Sequence, residues 1–146
     1  MTPSGTAKLY STELLTLAIK LADYPFNDGA MLRGGAHSRT CGSRIELSAD
    51  IDADGRLRDI GMKVAACAVG QAAAAIFAAT ATGANEGKLR ETEQAIERWL
   101  IGEGPQPDWP GIEMMAVALP HKGRHAAILL PWRAALDALS KATPPD

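Results

Sequence analysis

Thr40-Cys41-Gly42-Ser43-Arg44-Ile45-Glu46-Leu47-Ser48-Ala49-Asp50-Ile51 opens the segment from which the rest of the chain is read, and Val64-Ala65-Ala66-Cys67-Ala68 closes it. Ile45, Leu47, Ala49 and Ile51 alternate with Glu46, Ser48 and Asp50. That period of two is the mark of a strand with one buried face. Asp54-Gly55 is a turn signal, because glycine tolerates the positive φ that tight hairpin turns need. Ile60, Met62 and Val64 then alternate again, so a central β-hairpin is expected over about 44–64. The loop before its first strand and the end of its second strand lie at one end of the hairpin. Cys41 and Cys67, the two cysteines of the chain, are therefore expected to converge.

Outward from the hairpin, the chain divides into amphipathic and broken stretches. Leu14, Leu15, Ala18, Leu21 and Ala22 recur at helical spacing, predicting a helix from Ser11 or earlier. It should stop before Tyr24-Pro25, since the residue before proline avoids helical angles. Phe26 to Leu32 reads as a loop, and Gly34 to Arg39 as irregular chain or a short edge strand. Beyond the hairpin, Ala66, Ala68, Ala72 to Ala75, Ala78 and Ala79 predict a small-residue helix over about 67–82 that can lie close against a sheet. Leu89 to Leu100 should form a further helix, with Leu89, Ile96, Trp99 and Leu100 on its apolar side. Gly102 to Pro110 is too rich in glycine and proline for regular structure. Ile112 to Leu119 reads as a short helix ended by Pro120. A last helix is expected from about Ala126 to Leu139, with Pro131 either disturbing it or marking its true start. Trp99, Trp109 and Trp132 are expected to pack in the core. No internal repeat is visible.

Composition narrows the function classes. With 146 residues and a hydrophobic fraction of 47%, the chain is expected to be one domain over 1–146, with 1–7 and 141–146 as mobile tails. A net charge of −2 gives no ground for nucleic-acid binding. No apolar run approaches the roughly 20 residues of a membrane span. Met1-Thr2-Pro3-Ser4-Gly5 lacks the basic-then-apolar layout of a signal peptide, so a cytoplasmic protein with reduced thiols is expected. No acid–base pair or nucleophile triad stands out, and no enzyme is proposed.

The cysteine-flanked hairpin resembles the U-type iron–sulfur cluster assembly scaffold family, which includes IscU, SufU and the N-terminal domain of NifU. The resemblance rests on Thr40-Cys41-Gly42-Ser43, on Ala66-Cys67-Ala68, and on the run from Leu119-Pro120-His121-Lys122-Gly123-Arg124 to His125-Ala126-Ala127-Ile128-Leu129. It extends from Leu9 to about Leu139, and Gly102 to Pro110 resembles the insertion of the SufU-like branch. It implies a SufE/NifU-like α+β fold: an antiparallel sheet with a central hairpin, covered by helices mainly on one face.

The resemblance implies a site of three cysteines and an aspartate, holding zinc or a nascent, transient [2Fe–2S] cluster. Here Cys41 and Cys67 match two of those cysteines. Ser43 stands where the family has its aspartate, and Ala126 where it has its third cysteine. His125 matches the histidine that precedes that cysteine in one branch. Thiolates suit zinc and iron, and an imidazole nitrogen can complete a mixed set. The metal ligands implied are therefore Cys41, Cys67 and His125, with Ser43 and His37 as accessory candidates. Ser43 is a poor donor because a neutral hydroxyl is hard to deprotonate. His37 lies four positions before Cys41. On residue type alone, Cys67 reads as a small core residue at a helix start, His125 as a surface histidine, and His37 and His121 as solvated loop residues.

The expected geometry puts both thiols within reach of one ion, with His125 at the rim. With fewer anionic ligands than the family, the site should hold a dication less tightly, and the purified protein is expected to carry metal weakly or not at all. The family's chaperone-recognition segment survives only as Leu119-Pro120, with His121, Lys122 and Gly123 in place of the remainder, and Leu119, Pro120, Lys122 and Arg124 are the candidate partner-contact loop. The resemblance further implies a cysteine desulfurase as sulfur donor and apo iron–sulfur proteins as clients. The leading reading is a non-enzymatic scaffold. The alternatives are a degenerate member regulating or binding the desulfurase without a cluster, and a zinc protein of the SufU kind that accepts persulfide. The last is weakened by Ala126, because the family's persulfide acceptor falls there.

Overall fold

The computed structural model describes residues 12–40 and 42–142. α1 spans Thr12–Ile19 and tightens into a 3-10 turn at Lys20–Asp23, just before Pro25. Three strands follow: β1 (Leu32–His37), β2 (Arg44–Ile51) and β3 (Leu57–Ala65). α2 covers Ala68–Thr80 and α3 Glu86–Leu100. Ile112–Ala118 and Lys122–Arg124 are 3-10 segments, and α4 runs from His125 to Ala142. The expected short helix at 112–119 is thus 3-10. Pro131 lies inside α4 and is buried there, so it neither starts nor ends the helix. The ring removes the amide that would bond the Ala127 carbonyl, but the packing of the surrounding residues keeps the helix continuous.

The strands form one antiparallel sheet in the order β1-β2-β3. The stretch from Gly34 is not irregular; it pairs with β2 as an edge strand, from Leu32↔Ala49 to His37↔Arg44. Ala36, Ile45 and Val64 align across the sheet, as do Gly34, Leu47 and Met62. These rows face the helices, and Ile45 and Leu47 are fully buried. On the opposite face Gly35, Glu46 and Lys63 align, with Lys63 Nζ 3.7 Å from the Glu46 carboxylate and 5.1 Å from the Phe26 ring centre. The β2–β3 register slips between Ser48 and Asp50, where Asp59 takes φ 52°. This bulge resets the side-chain phase. It lets both Leu57 and Ile60 face inward, although their spacing does not fit one alternating strand.

Each exposed strand edge is partly covered. The Met62 amide donates to the Tyr24 carbonyl, and Leu57 exchanges bonds with Gly83 and Ala84. On the β1 edge, the Gly35 amide donates to the Asp137 carboxylate of α4 at 2.9 Å. Burial pushes the Asp137 carboxyl up, but the Gly35 amide and the Lys141 ammonium more than offset this and hold it below its ordinary value. A carboxyl whose folded-state pKa is lowered contributes stability above its unfolded pKa of about 3.9 and loses it as the pH falls further. Asp137→Ala is therefore expected to cost about 1 kcal/mol at pH 7. The deficit should shrink towards zero near pH 2, as read by urea unfolding at both pH values. An equal deficit at both would assign the loss to packing alone.

The core lies between the sheet and the helices. α2 is buried nearly all round, from Val69 through Ala78, because its small side chains admit close neighbours. Phe77 stacks on Trp109 at 5.9 Å, and Trp132 meets both rings edge-on. Trp109 donates to the Thr80 hydroxyl at 2.7 Å, pinning the loop after α3 to the end of α2. All three tryptophans are buried, as expected. α3 begins at Asn85, whose side chain caps the Lys88 amide at 2.8 Å.

Candidate metal centre

The hairpin register brings the relevant segments to one end of the sheet. Arg44 pairs with Ala65, so the β1–β2 loop lies beside the chain that leaves β3. That loop is closed by the Ser38 amide on the Ser43 carbonyl at 2.8 Å, and Gly42 takes φ 68°. Two residues after β3, Cys67 is the N-cap of α2, with extended angles (φ −68°, ψ 173°), and its side chain bonds none of the first-turn amides.

Gly70, in the first turn of α2, is where the segments meet. A Cβ at this position would lie 2.7 Å from the Ala66 Cβ, 3.3 Å from the Ala127 Cβ and 3.9 Å from the Ser43 Oγ. Glycine inside a helix costs about 1 kcal/mol relative to alanine. Here its missing side chain lets the β1–β2 loop, the start of α2 and the start of α4 close on one another.

Ser43 is 1% exposed and faces this junction. His125 is the first residue of α4 and half-buried. Its Nε2 lies 3.1 Å from the Ala118 carbonyl and 3.0 Å from the Leu119 carbonyl. Carbonyls only accept, so these partners assign the hydrogen to Nε2. A neutral ring then keeps its lone pair on Nδ1, the arrangement in which a metal-binding histidine is oriented by a backbone carbonyl.

Other candidates lie elsewhere. His37 sits at the end of β1, exposed, in the row with Arg44 and Ala65 on the face away from the helices, whereas Ser43 faces the helices. The structure therefore does not bring His37 to the junction. His121 caps the 3-10 turn Lys122–Arg124. Pro120 and Lys122 are exposed, and Leu119 and Arg124 half-buried. The candidate partner loop is thus the loop whose Leu119 carbonyl holds His125. Cys41 lies outside the described residues, and with it the expected convergence of the two thiols. Among the described residues no three His, Cys, Asp or Glu side chains come together around a common point.

Sequence reasoning did not single out Gly70, the carbonyls of Ala118 and Leu119, or Gln71, whose side chain bonds the Ala66 carbonyl. Two signals were present. Gly70 breaks an otherwise alanine-rich helix, and Gln71 is the one polar side chain between Ala68 and Ala79.

An antiparallel sheet with helices on one face, and a junction of the β1–β2 loop with two helix starts, define an α+β fold. The chain has the fold of the U-type iron–sulfur cluster assembly scaffold family. It is similar to the N-terminal part of a nitrogen-fixing NifU-like protein from Brucella abortus, with 27% identity, a TM-score of 0.81, and 95% of this chain and 97% of that one covered. It also matches a protein assigned as an iron–sulfur cluster assembly scaffold for the SUF system of the thermophile Fervidobacterium islandicum. There the identity is 19% and the TM-score 0.78, over 90% of this chain and 96% of that one. Comparison of the sequence with protein-family models and with curated proteins finds no match.

Proposed function

We propose that this chain is a scaffold-like protein that takes an iron or zinc ion, or a nascent [2Fe–2S] cluster, as cargo on Cys41, Cys67 and Nδ1 of His125. The observation that carries the reading is the junction at Gly70. Within the scaffold fold it gathers the start of the Cys67 helix, Ser43, and the helix start that bears His125. The Ala118 and Leu119 carbonyls leave Nδ1 as the ligating nitrogen. Thiolate and imidazole donors suit zinc and iron–sulfur chemistry. Three donors leave a fourth position for sulfide or a client ligand. In this role the protein is not an enzyme. A cysteine desulfurase supplies sulfur, apo iron–sulfur proteins receive the product, and the loop from Leu119 to Arg124, with Pro120 and Lys122 exposed, meets a partner. The setting would be the cytoplasm; no described helix is long and apolar enough to cross a membrane.

A second reading keeps the fold and drops the cargo: a partner that regulates the desulfurase. It is favoured by Ala126 and Ser43, which put neutral groups at two family ligand positions.

Anaerobic titration with cobalt(II) separates the two. The first reading expects one equivalent bound, with intense thiolate-to-cobalt absorption that Cys41→Ala and Cys67→Ala each abolish. His125→Ala should weaken binding at least about tenfold. A wild-type protein showing no thiolate–cobalt absorption at millimolar cobalt would leave only the second reading.

A further inference from the structure

We infer that Gln71 is a positioning residue for Cys67, a role that deepens the metal-binding reading above and rests on it. Gln71 holds Cys67 from both sides. Its backbone amide donates to the Cys67 carbonyl at 2.9 Å, the first hydrogen bond of α2. Its side-chain Nε2 donates to the Ala66 carbonyl at 2.8 Å. The two bonds immobilise the peptide planes before and after the Cys67 Cα. With both planes fixed, φ and ψ of Cys67 are fixed, and so is the direction in which its Cα–Cβ bond carries the thiol.

Cys67 needs such a restraint. It lies outside the helix proper, in extended conformation, and no bond from its own side chain to the first-turn amides anchors it. Gly70, three positions on, gives no side chain to brace it. Helix propensity alone does not account for Gln71 in an alanine-rich run, since alanine ranks above glutamine. The half-buried amide serves one visible purpose, the carbonyl that precedes the cysteine. A donor atom held within a fraction of an ångström binds metal more tightly than one free to wander, because the entropy of placing it is already spent.

The test is Gln71→Met, which keeps length and helix propensity while removing the donor, with Gln71→Glu as a second variant whose ionised carboxylate cannot donate. Cobalt(II) affinity of each full chain is measured by competition with a chromophoric chelator. The backbone amides of Cys67 and residue 71 are followed by NMR in the metal-free protein. The expected result is an affinity loss of about tenfold or more, with both amide signals broadened or split and the melting temperature within about 3 °C of wild type. Unchanged affinity and unchanged amide signals would overturn the assignment and leave Gln71 as a satisfier of a buried carbonyl. If the wild type takes up no cobalt, the metal reading fails by itself. The amide signals then decide alone: broadening in both variants upholds the positioning of Cys67, and unchanged signals overturn it.

Discussion

Ala126→Cys combined with Ser43→Asp is expected to raise zinc affinity by about a thousandfold, equivalent to about 4 kcal/mol. Both positions lie at the junction around Gly70. Ser43 approaches it directly, and Ala126 precedes the Ala127 that touches it. A cysteine at 126 would stand in the first turn of α4, where exposed amides and the helix dipole favour a thiolate. An aspartate at 43 would add a second anionic donor. Position 43 is buried, however, so a carboxylate there without metal must be desolvated. Ser43→Asp alone should therefore destabilise the metal-free protein by about 2 kcal/mol or more. Zinc in excess should restore that stability by mass action. Chelator competition reads the affinity, and melting with and without zinc reads the linkage. If the wild type binds zinc as tightly as the double variant, its own donors already complete the site and the two departures from the family cost nothing.

Gly34→Val should destabilise the fold by about 3 kcal/mol or more. A Cβ at this position would lie 2.4 Å from the Ala138 nitrogen and 2.7 Å from the Ala134 carbonyl, both backbone atoms of α4. Neither can rotate away, so α4 must lift from β1. The helix carries Ile128, Leu130 and Trp132 into the core, and lifting it opens that packing. His125 begins the same helix, so metal binding should weaken along with stability. Gly123→Ala is the matched control: no atom would contact the added methyl, and the change should stay within about 0.5 kcal/mol. Equal chemical-denaturation midpoints for Gly34→Val and wild type would mean that the close approach of α4 to β1 is dispensable.

The central hairpin, the alanine-rich helix and the α+β class were legible because they depend on local periodicity. Ile45, Leu47 and Ala49 alternate whatever packs on them, and the run after Cys67 has few side chains large enough to keep a neighbour away. The first strand was harder to read. Gly34 and Gly35 have no strand propensity, and β1 exists because β2 offers its edge and α4 needs a surface without side chains. The bulge at Asp59 was likewise invisible to a period of two, since it changes the phase only once β2 is alongside.

The candidate site divides in the same way. Residue chemistry and family resemblance pointed to Cys41, Cys67 and His125 from the sequence. By itself the sequence determined which candidate donors are thiol and which imidazole, and the resemblance implied that Ala126 and Ser43 stand where the family has its third cysteine and its aspartate. Only the tertiary structure decided that Ser43 faces the helices while His37 faces away, because strand pairing sets which side each residue takes. It alone assigned the His125 hydrogen to Nε2, since the Ala118 and Leu119 carbonyls reach the ring only after the 3-10 turn folds back on α4. It alone gave Gln71 a partner across the start of α2. Donor identity is written residue by residue, whereas donor orientation depends on backbone groups that every residue carries and that only folding aims.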